Sequence, residues 1–241
     1  MTERRAIFER ALRLDPDHTA LLIIDMQRGF LDVGEAMEVP AARTIVPRIG
    51  QLLEGFRARQ LPVAFSEFVY SERVPLLVGV LHPEHRPAPP GAVTGFGVPS
   101  SSCLDGTLSV HTVAELAPRP GELVVRKHWY DAFAGTALDG ALRARGVTSL
   151  VVTGTMTDIC VLATVIGAFS REYRVTVVED GVATIWPDIQ RATLDIIARA
   201  YARVVPAAAV AAELAAGRSP GEPLARREAP GVERGNAAET L

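Results

Sequence analysis

Three residues with reactive side chains each follow an apolar run that is typical of a buried strand. Asp25 follows the run LLII, Lys127 ends the segment VVRK, and Cys160 comes shortly after the run LVVT. Because the carboxyl ends of neighbouring parallel strands converge on one crevice, folding would bring these three side chains together. A carboxylate and an ammonium beside a thiol supply a proton acceptor and a stabilising charge for a nucleophile. The spacing therefore predicts nucleophilic catalysis by a thiol.

The position of Cys160 gives the thiol a reason to ionise. The turn at Gly154 follows the strand, and we expect a helix to begin at Cys160. Unpaired N–H groups and the positive end of the helix dipole would then face the sulfur and favour the thiolate, the form that attacks carbon.

Each of the three residues also has an ordinary structural explanation. Cys160 could be a small, inert residue buried between strand and helix, as free cysteines commonly are. Asp25 could cap the helix that follows it, and Lys127 could reach solvent from the strand end. The occurrence of all three at carboxyl ends of strands favours a shared site.

The composition excludes several classes of protein. The chain has 241 residues, is 48% hydrophobic and 22% charged, and carries a formal net charge of −3, which suits a globular domain and gives no indication of a nucleic-acid partner. Only two cysteines occur, Cys103 and Cys160, so no disulfide framework is expected. The charged amino terminus has no apolar signal region behind it, and no run approaches the length of a membrane span. We therefore expect a cytoplasmic, soluble protein.

Strand and helix patterns alternate along most of the chain. The strand patterns are continuous apolar runs, as expected for strands covered on both faces, and they comprise Ala20–Ile24, Leu61–Phe65, Leu123–Arg126, Leu150–Thr153, Val175–Val178 and Arg203–Val205. The helical patterns between them are Ala41–Arg59, Thr136–Arg145, Cys160–Arg171 and Asp188–Ala200. This alternation predicts an α/β fold, a three-layer α/β/α sandwich with a central, mostly parallel, six-stranded sheet.

Two stretches break the alternation. The segment from about Phe68 to Pro120 is long and rich in proline, as is typical of a loop that covers a substrate or is disordered. The residues from 217 to 241 are rich in Gly, Pro, Arg and Glu. We therefore predict one domain over residues 1–216 followed by a flexible carboxyl-terminal segment.

Four blocks in the same order resemble the isochorismatase-like cysteine hydrolases, a family that includes nicotinamidases, N-carbamoylsarcosine amidases and biuret hydrolases. The blocks are Ala20–Gln27, Gly121–Lys127 with Ala132–Thr136 just after it, Thr153–Val161, and Val178–Ala183. The resemblance spans roughly residues 18–205 and implies the isochorismatase-like, Rossmann-like fold.

The resemblance also implies the roles of individual residues. Asp25, Lys127 and Cys160 would form a catalytic triad, and a cis peptide would join Thr155 to Met156. The backbone N–H groups of Met156 and Cys160 would form an oxyanion hole. The implied activity is hydrolysis of a small amide, ureido or carbamoyl compound through a thioester, and the implied assembly is a homo-oligomer, either a dimer or a tetramer.

Candidates for substrate binding lie just past Asp25 and Lys127 in the sequence. They are Gln27, Phe30, Trp129, Tyr130 and Phe133, which could stack on or hydrogen-bond to an amide plane, although the aromatic ones could equally be core or oligomer contacts. Nicotinamidases carry an Asp-x-His pair and a further His that hold a metal, and Ser66–Tyr70 contains no such pair. We expect a site without metal or other cofactor, with His82 and His85 in a solvated loop and Cys103 an ordinary thiol.

Two other functions remain open from the sequence. Relatives that split the vinyl ether of isochorismate need no thiol, so Cys160 argues against that reaction without excluding it. A non-catalytic member of the fold that binds a metabolite is the second alternative, and the presence of all three reactive residues speaks against it.

Overall fold

The computed structural model describes residues 11–71 and 102–216, and within them the chain forms a six-stranded sheet. Its strand order is β3-β2-β1-β4-β5-β6, and every neighbouring pair is parallel. The strands are β1 (Thr19–Ile24), β2 (Val63–Phe68), β3 (Leu123–Lys127), β4 (Ser149–Thr155), β5 (Arg174–Ala183) and β6 (Arg203–Val205). The predicted α/β fold is confirmed.

Helices cover both faces of the sheet. They are α1 (Arg28–Leu31), α2 (Pro40–Ala58), α3 (Leu138–Arg143), α4 (Leu162–Ser170), α5 (Pro187–Ala200) and α6 (Ala207–Ala216). A π-helical turn, Thr157–Val161, leads directly into α4, and the 3₁₀ turns Leu108–Val110 and Ala114–Leu116 precede β3. The sequence patterns did not predict α1 and α6.

The two faces of the sheet support two separate apolar clusters. Leu21 and Ile23 of β1 point to the cluster that contains Phe56 of helix α2. Leu22 and Ile24, one residue out of phase, point to the opposite cluster, which also takes side chains from α3, α4 and α5. Because both faces are buried, the strands are continuously apolar and show no polar alternation.

The second strand begins two residues later than its sequence pattern predicted. The amide of Leu61 donates to the Phe56 carbonyl at 3.0 Å, so Leu61 closes the end of helix α2. Pro62 lacks an N–H group and contributes only its carbonyl, which accepts the Leu21 amide. Extended pairing therefore starts at Val63 and continues to Phe68.

Several predictions fall on parts of the chain outside the described residues. These are the flexible segment 217–241, the two histidines His82 and His85, and the middle of the segment that begins near Phe68. From residue 102 onward that segment is described, and its bridge between Thr112 and Gln27 lays it against the end of β1. No helix of the described chain is long and apolar enough to cross a membrane.

The order of the strands determines where a site can form. The chain runs from β1 outward through β2 to β3 and then crosses back to β4 on the other side of β1, which makes the β1/β4 boundary a topological switch point. In open parallel sheets, ligands bind in the crevice at the carboxyl ends of the strands beside such a point. Asp25 follows β1 and Cys160 follows β4, so both belong to this crevice.

Gly154 allows these two strands to approach at their carboxyl ends. It pairs with Ile24 across the β1/β4 boundary, and its φ is +119°. A Cβ atom at this position would lie 2.0 Å from the Ile24 carbonyl oxygen, far inside contact distance. Only glycine fits both the backbone angle and the space.

We therefore predict that Gly154→Ala lowers the free energy of unfolding by at least about 2 kcal/mol, because it adds a backbone clash to the cost of a positive φ. Gly121→Ala is the matched control, since Gly121 also has a positive φ, of +92°, but no atom within 4 Å of an added Cβ. We expect the control to lose about 1 kcal/mol. Urea denaturation measures both, and equal losses would contradict the clash.

Candidate active site

Asp25 and Lys127 form an ion pair at the carboxyl edge of the sheet. The Lys127 Nζ lies 2.8 Å from the Asp25 Oδ2, and both side chains are fully buried. Lys127 is the last residue of β3 and Asp25 follows β1, so the lysine side chain crosses the end of β2 to reach the carboxylate. The structure thus brings together two of the three reactive residues singled out in the sequence.

Oxygen atoms surround the Lys127 ammonium. Besides Asp25, the carbonyls of Trp129 and Tyr130 accept from Nζ at 3.1 and 3.0 Å, and the ring of Phe68 lies 5.5 Å away. Burial lowers the pKa of Lys127, but the Asp25 carboxylate and Cys160 together raise it by more, so the pKa lies above its ordinary value. Lys127 therefore stays protonated and provides a fixed positive charge.

The Asp25 carboxylate is held from the neighbouring strand. Asp25 has a φ of 50°, in the left-handed region that a non-glycine residue rarely adopts. Its amide donates to the Ser66 carbonyl at 3.0 Å, and the Ser66 hydroxyl donates to Oδ1 at 2.7 Å. Strand β2 thus contacts both the backbone and the side chain of Asp25.

Cys160 lies in the π-helical turn ahead of α4, and its side chain is almost fully buried. The helical segment starts at Thr157, so the prediction that a helix begins at Cys160 was wrong by three residues. Burial raises the pKa of the Cys160 thiol well above its ordinary value; Lys127 opposes this shift, and Asp25 adds to it. We expected the helix terminus to favour the thiolate, but the effect of burial on the thiol pKa is larger. The resting sulfur is therefore a thiol.

The interactions of the two cysteines differ. Asp25 and Lys127 act on Cys160 through hydrogen bonds as well as charge, whereas they act on Cys103 through charge alone. The Cys103 sulfur lies against helix α1, where a Cβ on Gly29 would come within 2.6 Å of it. Burial raises the pKa of Cys103 well above its ordinary value. Asp25 and Lys127 therefore influence the ionisation of Cys160 more directly than that of Cys103.

The turn that carries Cys160 is tied to the end of β5. The Thr155 hydroxyl donates to the Ala183 carbonyl at 3.1 Å, and the Thr184 hydroxyl donates to Asp158 at 2.5 Å. These bonds anchor the turn before and after its first residue. The sulfur is thus carried by a segment attached to two strands.

The backbone around Met156 departs from regular helix geometry. The peptide bond between Thr155 and Met156 is cis, and the Met156 carbonyl accepts the amides of Ile159 and Val161, the residues on either side of Cys160. The predicted oxyanion donors, the amides of Met156 and Cys160, belong to this same turn.

The segment after Lys127 is fastened to helix α4. The Thr164 hydroxyl accepts the Ala132 amide at 3.0 Å and approaches the Tyr130 carbonyl at 3.4 Å. Because that carbonyl also accepts from Lys127, Thr164 helps to fix the acceptor that orients the ammonium. Sequence reasoning missed both Ser66 and Thr164. The signal for Ser66 was a hydroxyl directly after the apolar strand pattern Leu61–Phe65.

Gln27 was predicted to bind substrate, but in the structure its side-chain amide forms hydrogen bonds to the backbone. Nε2 donates to the carbonyls of Phe68 and Val110 at 2.8 and 2.6 Å, and Oε1 accepts the Phe68 amide at 2.8 Å. Both hydrogens of the amide group are thereby used. Gln27 joins the end of β2 to the segment that covers it, and no amide hydrogen is left for a ligand.

The aromatic candidates fall into two groups. The Phe133 ring stacks on Tyr173 with centroids 5.7 Å apart, and Tyr173 directly precedes β5 at the opposite, amino-terminal edge of the sheet. Phe133 is therefore a core residue, contrary to the prediction. Phe30 and Tyr130 belong to the apolar cluster that contains Met156, and Trp129 is 38% exposed. These three remain candidates for substrate contact.

Comparison of the sequence and the structure with known proteins finds relatives of this chain. Residues 19–209 match the family model described as the isochorismatase domain. The ureidoacrylate amidohydrolase RutB of Rhizobium rhizogenes is 28% identical over 194 residues, which are 76% of this chain and 78% of that protein.

Two solved structures extend the comparison. A cysteine hydrolase from Pseudomonas syringae pv. phaseolicola aligns with a TM-score of 0.75 and 27% identity over 85% of this chain and 95% of that one. N-carbamoylsarcosine amidase from Thermoplasma acidophilum aligns with a TM-score of 0.63 and 30% identity over 78% and 96% of the two chains.

The raised pKa of Cys160 predicts how the thiol reacts with iodoacetamide. We expect Cys160 to be alkylated more slowly at pH 7 than free cysteine, with a rate that climbs as the pH rises, because only the thiolate reacts. Peptide mass spectrometry separates the Cys160 adduct from any Cys103 adduct, and Cys160→Ala is the control. Fast alkylation at pH 6, with no further rise on the alkaline side, would contradict a protonated resting thiol.

Proposed function

Because the chain belongs to the isochorismatase family of hydrolases, we propose that it is a cysteine-dependent amidohydrolase that cleaves the C–N bond of a small amide, ureido or carbamoyl compound through a thioester. The observation that carries the proposal is the fully buried ion pair of Asp25 and Lys127, which lies close enough to the Cys160 thiol to influence its pKa. A carboxylate paired with a positively charged group, together with a neighbouring thiol, provides the groups that acyl transfer by a sulfur nucleophile requires.

The relatives support the same reaction class. One similar protein is named for the hydrolysis of ureidoacrylate and another is named as an amidase of N-carbamoylsarcosine. Both names describe attack on a carbonyl bonded to nitrogen. A vinyl ether has no such carbonyl, so its cleavage would not use the Cys160 thiol.

In the proposed first step, Cys160 gives its proton to Asp25 as the sulfur attacks the substrate carbonyl. The proton moves at the moment of attack, since burial keeps the resting sulfur protonated. Lys127 keeps its own proton and stabilises the charge that forms beside it. The oxygen of the tetrahedral intermediate would rest on the amides of Met156 and Cys160.

In the second step, the protonated Asp25 gives its proton to the departing nitrogen, and the C–N bond breaks to leave a thioester. Asp25, again a carboxylate, then removes a proton from water, whose oxygen attacks the thioester. The C–S bond breaks, and Asp25 returns that proton to the sulfur, which restores the resting thiol and carboxylate. One carboxylate thus serves as base and acid in each half of the reaction. These roles need a side chain that contacts sulfur, leaving group and water from one position.

The proposal predicts that Cys160→Ala and Asp25→Asn each lower ammonia release by at least about a thousandfold, because the first removes the nucleophile and the second removes its base. The assay measures ammonia from nicotinamide, maleamate, N-carbamoylsarcosine, biuret and ureidoacrylate, with Cys103→Ala as the matched control.

We expect the Cys103 variant to keep its turnover if it folds, which circular dichroism verifies. Substantial residual hydrolysis by either site variant would refute the assigned roles. A carbamoyl or acyl adduct on Cys160, trapped by rapid acid quench and located by mass spectrometry, would be the direct sign of the thioester.

We also propose that the chain acts as a homo-oligomer. Apolar side chains are exposed on the adjacent helices α4 and α5, where Ile166, Phe169, Ile189 and Ile196 are each 37–43% accessible. The Phe169 ring meets Tyr201 at the end of α5 with centroids 5.7 Å apart, so the two helices present one surface. Clustered apolar side chains at a surface are typical of association.

Light scattering tests this assembly. We expect a mass that is a multiple of the 25.8 kDa chain and a shift toward the monomer in the double variant Phe169→Asp, Ile189→Asp, because buried carboxylates oppose association. Val33→Asp is the control, since Val33 is 81% exposed elsewhere on the molecule. A monomeric native protein at micromolar concentration would overturn the proposal.

A further inference from the structure

Ser66 is a hydroxyl-bearing residue in the middle of the buried strand β2, and it is 1% exposed. Its neighbours in the strand, Phe65 and Glu67, are also buried. Its Oγ donates to the Asp25 Oδ1 at 2.7 Å, and its carbonyl accepts the Asp25 amide at 3.0 Å. The hydroxyl therefore finds its acceptor on the carboxylate that forms the ion pair.

We propose that Ser66 is a positioning residue for Asp25: by holding Oδ1, its hydroxyl leaves Oδ2 facing the Lys127 ammonium and the Cys160 thiol. This inference rests on the proposed function, in which Oδ2 receives the thiol proton. Ser66 itself does not contact the reacting atoms and acts through Asp25.

The hydrogen bonds of the two carboxylate oxygens support this division. Oδ1 accepts the Ser66 hydroxyl. Among the described residues, Oδ2 has no partner in regular hydrogen-bond geometry, although the Lys127 Nζ lies 2.8 Å from it as an ion-pair partner. A buried carboxylate oxygen with a lone pair to spare is the one that can accept a proton from the sulfur.

The groups that act together with Asp25 come from two elements besides β2. Lys127 contributes its charge from β3, and Cys160 contributes its thiol from the π-helical turn. Removing the Ser66 hydroxyl takes away the hydrogen bond to Oδ1 and frees the carboxylate to rotate about Cβ–Cγ.

The test compares three variants of full-length protein. Ser66→Ala removes the hydroxyl, Ser66→Thr retains it, and Ser149→Ala is the matched control, because Ser149 is a buried strand serine whose hydroxyl has no hydrogen-bond partner among the described residues. Two quantities are measured for each variant: kcat and KM for amide hydrolysis, and the rate of Cys160 alkylation by iodoacetamide at pH 8. The second measurement needs no substrate.

For Ser66→Ala we expect kcat to fall about tenfold with little change in KM, because the carboxylate that receives the thiol proton is no longer held. We expect Cys160 to be alkylated about threefold faster than in the native protein, because Asp25 raises the pKa of the Cys160 thiol and a carboxylate that turns away raises it less. We expect Ser66→Thr to restore both quantities and Ser149→Ala to leave both unchanged. A mere packing defect would not be rescued by threonine, which adds a methyl group at the same buried position.

An unchanged kcat or an unchanged alkylation rate in Ser66→Ala, or equal changes in Ser149→Ala, would overturn the inference. If Ser66→Ala does not fold, Ser66→Cys supplies a weaker donor of similar size. We expect that variant to have a lower kcat and faster Cys160 alkylation than the native protein, and native values would equally overturn the inference. Faster Cys160 alkylation in Ser66→Ala of a protein that hydrolyses none of the amides would instead sink the proposed function and leave the positioning of Asp25 intact.

Discussion

The burial of one opposite-charge pair, Asp25 with Lys127, constrains everything else at the carboxyl edge of the sheet. Removing two ions from water costs several kcal/mol per ion, and their mutual attraction offsets this only when other polar atoms complete the shell. The carbonyls of Trp129 and Tyr130 do so for the ammonium, and Ser66 does so for the carboxylate. The chain just after β3 must therefore turn back toward its own lysine, which explains why Thr164 fastens that segment to helix α4.

A thiol placed beside such a pair stays neutral. Ionising Cys160 without moving a proton to Asp25 would put a second negative charge near the buried carboxylate, and burial raises the thiol pKa accordingly. Transferring the proton to Asp25 leaves the number of charges unchanged. In the proposed mechanism, the burial that suppresses the free thiolate therefore favours a transfer of the proton to Asp25 at the moment of attack.

The sequence predicted the strands and the three reactive residues because burial on both faces and reactive side chains at strand ends leave strong local patterns, as in the run before Asp25. It could not predict what depends on partners distant in the chain. Gln27 looked like a ligand for substrate, yet its amide bonds to backbone atoms about 41 and 83 residues away. Phe133 looked like a pocket wall, yet its ring meets Tyr173. The start of the helix before Cys160 was missed because a π-helical turn has no periodicity of its own.

The position of each reactive residue follows from the order of the strands. Cys160 lies in the turn that follows β4, the strand next to β1. Lys127 starts two strands from β1, at about 4.8 Å for each step, and its flexible four-carbon stem spans the end of β2. The order β3-β2-β1-β4 therefore places the long cation and the turn that carries Cys160 on opposite sides of one carboxylate. Close approach of β1 and β4 at Gly154 completes the arrangement, because a side chain there would clash with the Ile24 backbone and push the two strands apart.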